Sequence, residues 1–242
     1  MSEGVRLNRY LAMCGLGARR KVEEIIAAGR VRVDGKVVLM PAYRVEEGQR
    51  VEADGREVRP ERRAYLVLNK PAGYVCSLSD PFDPVVTELL PEGLRSLRLF
   101  PVGRLDRESE GLIILTNDGD FAHKILHPSG GILREYRVRL DREIDRKTAR
   151  QWAGGINLDG KIIKPVRVFI TDEAPPGRWV SVVLAEGIKR EVRRMARALG
   201  FEVESLIRKR IGKMELKNLP SGKFAEMSRA ELWRAVRSGG FV

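Results

Sequence analysis

At 242 residues, 43% of them hydrophobic, the chain is long enough for a small domain and a medium one, each with its own core. Forty-five Lys and Arg against thirty-three Asp and Glu leave a formal charge of +12, which points to a polyanionic partner, nucleic acid before a membrane. No apolar run approaches the ~18 residues of a membrane span, the first residues carry no apolar signal region, and Cys14 and Cys76 are too far apart for metal-ligand spacing or a disulfide framework; the expected compartment is the cytosol.

Leu7, Tyr10, Leu11 and Cys14 fall on one face of a short helix that Gly15-Leu16-Gly17 ends. Ala18 to Ala28 predicts a second helix, with Val22, Ile25 and Ile26 inward and a stop at Gly29. Val31, Val33 and Val37 surround Asp34-Gly35, a two-residue hairpin signal. Arg6, Arg9, Arg19, Arg20, Lys21, Arg30 and Arg32 lie within 27 residues. Singly they read as a solvated face; sharing a side, they would track phosphates. The order helix, glycine turn, Arg-Arg-Lys helix, Gly-x-Val-x-Val-Asp-Gly resembles the S4 RNA-binding domain. That resemblance implies a basic face for structured RNA and gives the role to Arg6, Arg9, Arg19, Arg20, Lys21 and Arg30. Short strands are expected over residues 41–58, between Glu46-Glu47-Gly48 and Asp54-Gly55 turns. The charged stretch Arg59 to Arg63, with Pro60, reads as a linker. An S4 domain is therefore expected over residues 1–60 and a larger one over residues 64–242.

The larger domain opens with Tyr65 to Lys70, a short strand stopped by Pro71. Pro84 to Leu90 looks helical, and Leu97 to Val102 leads into a turn crowded with charge, Gly103-Arg104-Leu105-Asp106-Arg107-Glu108-Ser109-Glu110-Gly111. The run Leu112 to Leu115, bounded by Gly111 and Asn117-Asp118-Gly119, reads as a buried strand, and a helix is expected from Asp118 to Leu126. A turn leading into such a strand suits a chemical group held on a rigid frame. Asp106, between Arg104 and Arg107, would be held as an anion; alone it reads equally well as a loop ion-pair partner. His123 and His127 have metal-compatible spacing but no third ligand, so they read as ordinary helix-end residues and no metal is expected.

Leu133 to Leu140 alternates apolar and charged residues, the mark of a half-exposed strand, in which Tyr136 alone would be a core or edge aromatic. A helix over Arg146 to Ala153 and a turn at Asp159-Gly160 come next. Strands near Val166 to Ile170 and Val180 to Leu184 then flank Pro175-Pro176-Gly177. Glu186 to Gly200 predicts a helix with two stripes: Val192, Met195, Ala196 and Leu199 for the core, and Arg190, Arg193, Arg194 and Arg197, which suit phosphates. Gly212 to Val242 reads as a strand or two and a helix near Arg229 to Val236, without a chemical signal.

Gly-Arg-Leu-Asp, Ser-Glu-Gly-Leu and Leu-Thr-Asn-Asp-Gly, across seventeen consecutive positions from Gly103 to Gly119, resemble the catalytic motif of the pseudouridine synthases, in their small bacterial ribosomal RNA branch. The strand ending in Lys70-Pro71 resembles that family's first strand motif, and the helix after Glu186 its third. The resemblance implies an α+β fold: the S4 domain, then a catalytic domain with a mixed, mostly antiparallel central sheet flanked by helices. It implies a reaction that detaches uracil from its ribose, rotates it and reattaches it through carbon, with no cofactor or metal. Asp106 is then the catalytic carboxylate, whether it attacks the sugar, attacks the base or removes a proton. Arg193 pairs with Asp106, Val192 touches the uracil, and Tyr136 stacks on the flipped base, which must recover the stacking it loses. Arg104 helps take the place of the flipped uridine, while Lys70, Arg190 and Arg194 complete the substrate-binding set. Lys189-Arg190-Glu191 stands where many members carry Asn-Arg-Gln. With Ser205-Leu206-Ile207-Arg208-x-Arg210-Ile211-Gly212, this brings the chain closer to the members of B type that act on large-subunit ribosomal RNA. The expected partner is ribosomal RNA or an assembling subunit, and nothing in the sequence asks for more than a monomer. One rival is the same fold acting on small-subunit or another structured RNA; another is a non-catalytic ribosome-assembly protein, disfavoured because Asp106, Tyr136 and Arg193 are all present. A third is an aspartate-based phosphoryl transferase using Glu108, Glu110 and Asp118 for metal, which would show a magnesium requirement.

Overall fold

A computed structural model of the chain describes residues 4–241. It divides into two compact units: one runs to Arg63 and includes Ser96–Arg98, the other holds Ala64–Arg95 and the chain from Leu99 onward.

In the first unit β1 (Val5–Arg6) leads into α1 (Leu7–Met13) and α2 (Arg19–Ala27), followed by β2 (Val31–Val33), β3 (Lys36–Val37), β4 (Arg44–Val45), β5 (Val51–Ala53) and β6 (Arg56–Glu57). Strands β3, β2, β5 and β6 form one sheet, and β1 pairs with β4. Leu7 and Leu11 of α1 and Val22, Ile25 and Ile26 of α2 close on Val31, Val33, Val45 and Val51, so the inward spacing read from the sequence is the real core. Asp34 and Gly35 both take positive φ, 48° and 77°, as the tight turn between β2 and β3 requires. Val37 is 48% exposed, because β3 is a two-residue edge strand with both residues facing solvent.

In the second unit β7 (Tyr65–Lys70), a short helix α3 (Glu92–Arg95), β8 (Phe100–Pro101), β9 (Glu110–Thr116) and α4 (Gly119–Leu126) come first. β10 (Arg134–Leu140), α5 (Arg146–Gly154), β11 (Ile156–Leu158), β12 (Lys161–Ile163), β13 (Arg167–Ile170) and β14 (Trp179–Leu184) follow. The chain ends with α6 (Glu191–Ala198), β15 (Val203–Ile211), β16 (Met214–Glu215), β17 (Phe224–Glu226), α7 (Arg229–Ser238) and β18 (Gly240–Phe241). The main sheet runs β13-β14-β10-β15-β9-β7-β17. Its pairings are antiparallel except where β15 meets β9 and β16 meets β18, so the sheet is mixed and mostly antiparallel.

Each half of that sheet has its own core. Val67, Leu112, Ile114, Phe121 and Ile125 pack with Leu232 and Val236 of α7, which gives the signal-poor C-terminal region a structural role. Val138, Leu140, Trp152, Val180, Val182 and Met195 form the other core. Asp118 caps α4, accepting the backbone N–H groups of Asp120 and Phe121, and also accepts the Tyr65 hydroxyl at 2.7 Å. The stretch Pro84 to Leu90 is less regular than expected: it holds only a single 3₁₀ turn, Val86–Leu89.

Candidate active site

The turn carrying Asp106 is fixed from below. Lys70 ends β7 with its side chain fully buried, and its ammonium donates to the backbone carbonyls of Ser109 (2.5 Å), Pro71 (3.0 Å) and Arg107 (3.2 Å). Burial lowers its pKa, while Cys76, Glu110, Glu108 and Asp106 act in the opposite sense. The Leu105 amide donates to the Cys76 sulfur, and the Ser109 amide closes the turn on the Asp106 carbonyl at 3.0 Å. Lys70 was expected in the substrate-binding set. It cannot reach a substrate, since three carbonyls occupy its ammonium beneath the loop.

The second wall comes from α6 and the loop before it. The helix expected from Glu186 begins only at Glu191, because the Glu191 carboxylate turns back to accept the Ile188 amide at 2.9 Å and starts the helix there. Arg190 precedes it in the left-handed conformation, φ 53° and ψ 30°, and so leaves the arginine stripe. Its Nη1 lies 2.6 Å from Glu108 and 3.9 Å from Asp106. Arg193, expected to pair with Asp106, instead lies 3.6 Å from Glu108 and donates to the Val203 carbonyl of β15 at 2.9 Å. The guanidinium closest to Asp106 is thus that of Arg190, and Glu108 joins both arginines. Arg194 pairs with Asp159 in the turn between β11 and β12 and does not border the cavity beside Asp106; Arg197 pairs with Glu202. The stripe read as a phosphate surface is therefore largely neutralised by carboxylates from other elements.

These walls enclose a cavity of about 690 Å³, bordered by Arg104, Asp106, Tyr136, Arg190, Val192 and Arg208 among others. Asp106 accepts no hydrogen bond through its carboxylate from the described residues, so both oxygens are left for a ligand. Tyr136 comes from β10 and Val192 from the first turn of α6. Arg104 is exposed at the rim. Burial raises the Glu108 carboxyl, but a backbone hydrogen bond and the guanidiniums of Arg190 and Arg193 outweigh it and hold the group below its ordinary 4.5. Burial lowers the pKa of Arg193. The arrangement presents an available carboxylate, an aromatic ring and cations around a space large enough to admit a nucleotide.

Glu108 entered the sequence reading only as a metal ligand of the rival phosphoryl transferase and Arg208 only within the Ser205 to Gly212 string; neither was assigned to this site. Arg208 had a usable signal: it shares strand parity with Leu206, and both side chains are buried. In the first unit, Arg19, Arg20 and Lys21 are exposed on α2 and Arg6 is exposed at the start of α1, while Arg9 is partly covered. Arg30 is engaged by both oxygens of Asp54, at 2.5 and 2.6 Å, which reduces its availability to phosphate. No cluster of three metal-ligating side chains occurs among the described residues, and no helix among them is long and apolar enough to cross a membrane.

Residues 64–198 match the family model described as RNA pseudouridylate synthase, and residues 5–51 match the S4 domain. The chain is 37% identical over 242 residues to an uncharacterized RNA pseudouridine synthase of Aquifex aeolicus, covering 98% of this chain and 95% of the relative. It is 39% identical over 240 residues to the ribosomal large subunit pseudouridine synthase B of Escherichia coli, covering 96% and 81%. A crystal structure of a pseudouridylate synthase superposes with a TM-score of 0.67 at 28% identity, over 95% of this chain and 99% of that one. An S4 domain followed by this catalytic fold, with the cavity built on the Gly103 to Gly119 motif, identifies the chain as a member of the RNA pseudouridylate synthase family.

Proposed function

We propose that this pseudouridine synthase isomerises a uridine of large-subunit ribosomal RNA, in the cytoplasm and as a monomer, with Asp106 as the catalytic carboxylate. The observation that carries the reading is the Asp106 carboxylate itself. It is available to a ligand, 3.9 Å from the Arg190 guanidinium, on the cavity that Tyr136 also borders. Tyr136 stacks on the flipped base, Val192 touches its edge, and Arg104 at the rim occupies the space the base vacates. Arg190 orients Asp106, and Glu108 holds Arg190 and Arg193 in place. The basic face of the first unit, through Arg6, Arg9, Arg19, Arg20 and Lys21, binds structured RNA by its phosphates and shape. All of these groups come from one chain, so one copy suffices. Substrate choice follows the B-type relatives, whose name specifies the large ribosomal subunit.

The test is a nucleotide-resolution pseudouridine map of ribosomal RNA from cells lacking the protein and from cells carrying Asp106→Asn. One large-subunit site should vanish in both, while purified Asp106→Asn binds the RNA within about twofold of wild type. Product formation by that variant would overturn the role of Asp106, and loss of a small-subunit site would overturn the choice of RNA.

A further inference from the structure

The cavity holds a buried cation that these assignments leave unused. Arg208 is 4% exposed and borders the same cavity as Asp106 and Tyr136. Its Nε donates to the Leu112 carbonyl at 2.7 Å and its Nη1 to the Arg104 carbonyl at 3.4 Å, while Nη2 is buried with no hydrogen-bond partner. No carboxylate pairs with it among the described residues. A buried charge without a counter-ion is costly, and a buried donor without an acceptor adds to that cost.

The strand registers fix where this charge sits. β10 and β15 place Tyr136 directly opposite Arg208, and β9 places Gly111 beside it. Opposed residues of antiparallel strands project from one face about 5 Å apart. A base stacked on Tyr136 therefore has an edge beside Arg208. The close approach of β15 to the strand that follows the Asp106 turn depends on Gly111: a Cβ there would collide with the Arg208 carbonyl and lie 2.7 Å from its amide nitrogen. Arg104 and Arg190 are accessible enough to meet RNA phosphates, whereas Arg208 lies deeper, at the level of an inserted base.

We propose that Arg208 is a catalytic residue: its guanidinium donates to the pyrimidine oxygens and stabilises the negative charge that uracil acquires during isomerisation. This rests on the function proposed above. When the bond from N1 to C1′ breaks, the electron pair stays with the base and spreads over O2 and O4. After rotation C5 bonds to C1′, the C5 proton leaves and N1 gains a proton, so the atoms balance with no oxidant or reductant. If Asp106 adds to the ring instead, the charge again falls on a ring carbonyl oxygen. Either course calls for a cation at the edge of the stacked base.

The experiment compares single-turnover consumption of the target nucleotide in two large-subunit ribosomal RNA transcripts, one made with uridine and one with 5-fluorouridine. Nuclease digestion and mass spectrometry give the readout. Fluorine at C5 withdraws charge and lessens the need for a stabilising donor. Arg208→Gln should slow the uridine transcript about 100- to 1000-fold, leave its Kd within about twofold, and lose much less on the fluorinated transcript. Arg208→Lys, which keeps a charge, should show a smaller deficit with the same dependence on fluorine, and it carries the test if the glutamine variant fails to fold. Equal deficits on both transcripts, an unchanged rate, or a defect confined to Kd (the mark of a phosphate contact) would overturn the assignment. Wild-type protein that consumes neither transcript would defeat the proposed function itself, a result distinct from a failure of Arg208 alone.

Discussion

Replacing Lys70 with Met separates the architecture of the catalytic turn from the stability of the fold. The substitution keeps the apolar stem and removes an ammonium that donates to three carbonyls. Arg107 keeps the amide of Gly73 as a donor at 2.8 Å, so at most two carbonyls, those of Pro71 and Ser109, are stripped. At roughly 1–3 kcal/mol for each stripped acceptor, the loss is about 2–6 kcal/mol. Removing a desolvated ammonium offsets several kcal/mol of it, so the net change in unfolding free energy is small. The kinetic effect is larger, because the turn that aims Asp106 loses its anchor and a misplacement of about 1 Å costs on the order of 100-fold. Urea denaturation, RNA affinity and single-turnover pseudouridine formation should therefore give, in order, a modest change, no change and a loss near 100-fold. A variant with a normal rate and weakened RNA binding would refute the reasoning and return Lys70 to the substrate-binding set.

Gly111→Ala forces a side chain onto φ +102° and into the backbone of Arg208, so it should cost about 2–4 kcal/mol in urea denaturation; a loss under about 1 kcal/mol would show that β15 can retreat. The depressed carboxyl of Glu108 contributes stability that is fully present above pH 4.5 and disappears as pH falls through its lower folded value. Glu108→Gln should flatten that acid limb by less than about 1 kcal/mol, since the group is 44% exposed. In the first unit, Arg19→Ala with Arg20→Ala should reduce the slope of log affinity against log salt by about 1.5 if both meet phosphates. An unchanged slope would place the RNA on another face.

Much of this molecule was legible because local chemistry and tertiary context agree. The apolar run Leu112 to Leu115 is bounded by turn residues and lies fully buried in β9, and Asp118 caps the next helix as its position implies. Asp34-Gly35 dictates its own turn. What escaped depended on contacts distant in sequence. Lys70 was placed in the substrate-binding set, and its burial is made tolerable by the carbonyl of Pro71 together with those of Arg107 and Ser109, 37 and 39 residues away. The 3.6-residue spacing from Glu186 favours a longer helix, but the Glu191 carboxylate offers the Ile188 amide a competing bond and frees Arg190 to face Asp106. An acid three residues after Ile188 was the overlooked signal for a late start. Likewise the Arg190, Arg193, Arg194 and Arg197 stripe could not disclose that Glu108, Asp159 and Glu202 would meet it.

The junction of β9 with β15 has a thermodynamic consequence. β7 pairs with β9 at six positions and β10 with β15 at seven, whereas β9 and β15 share two registered pairs, Ile207 with Glu110 and Arg208 with Gly111. Asp106 and Arg104 belong to one side of this narrow seam; Tyr136, Arg190, Val192 and Arg208 belong to the other. Those two pairs are not the whole bond across the seam, since Ile211 of β15 and Met214 of β16 pack in the same core as Leu112 and Ile114 of β9, so drawing the carboxylate away from the aromatic ring also exposes apolar surface. Chemistry and folding thus share a threshold in this protein: the reaction centre comes apart only when the core behind the seam begins to yield.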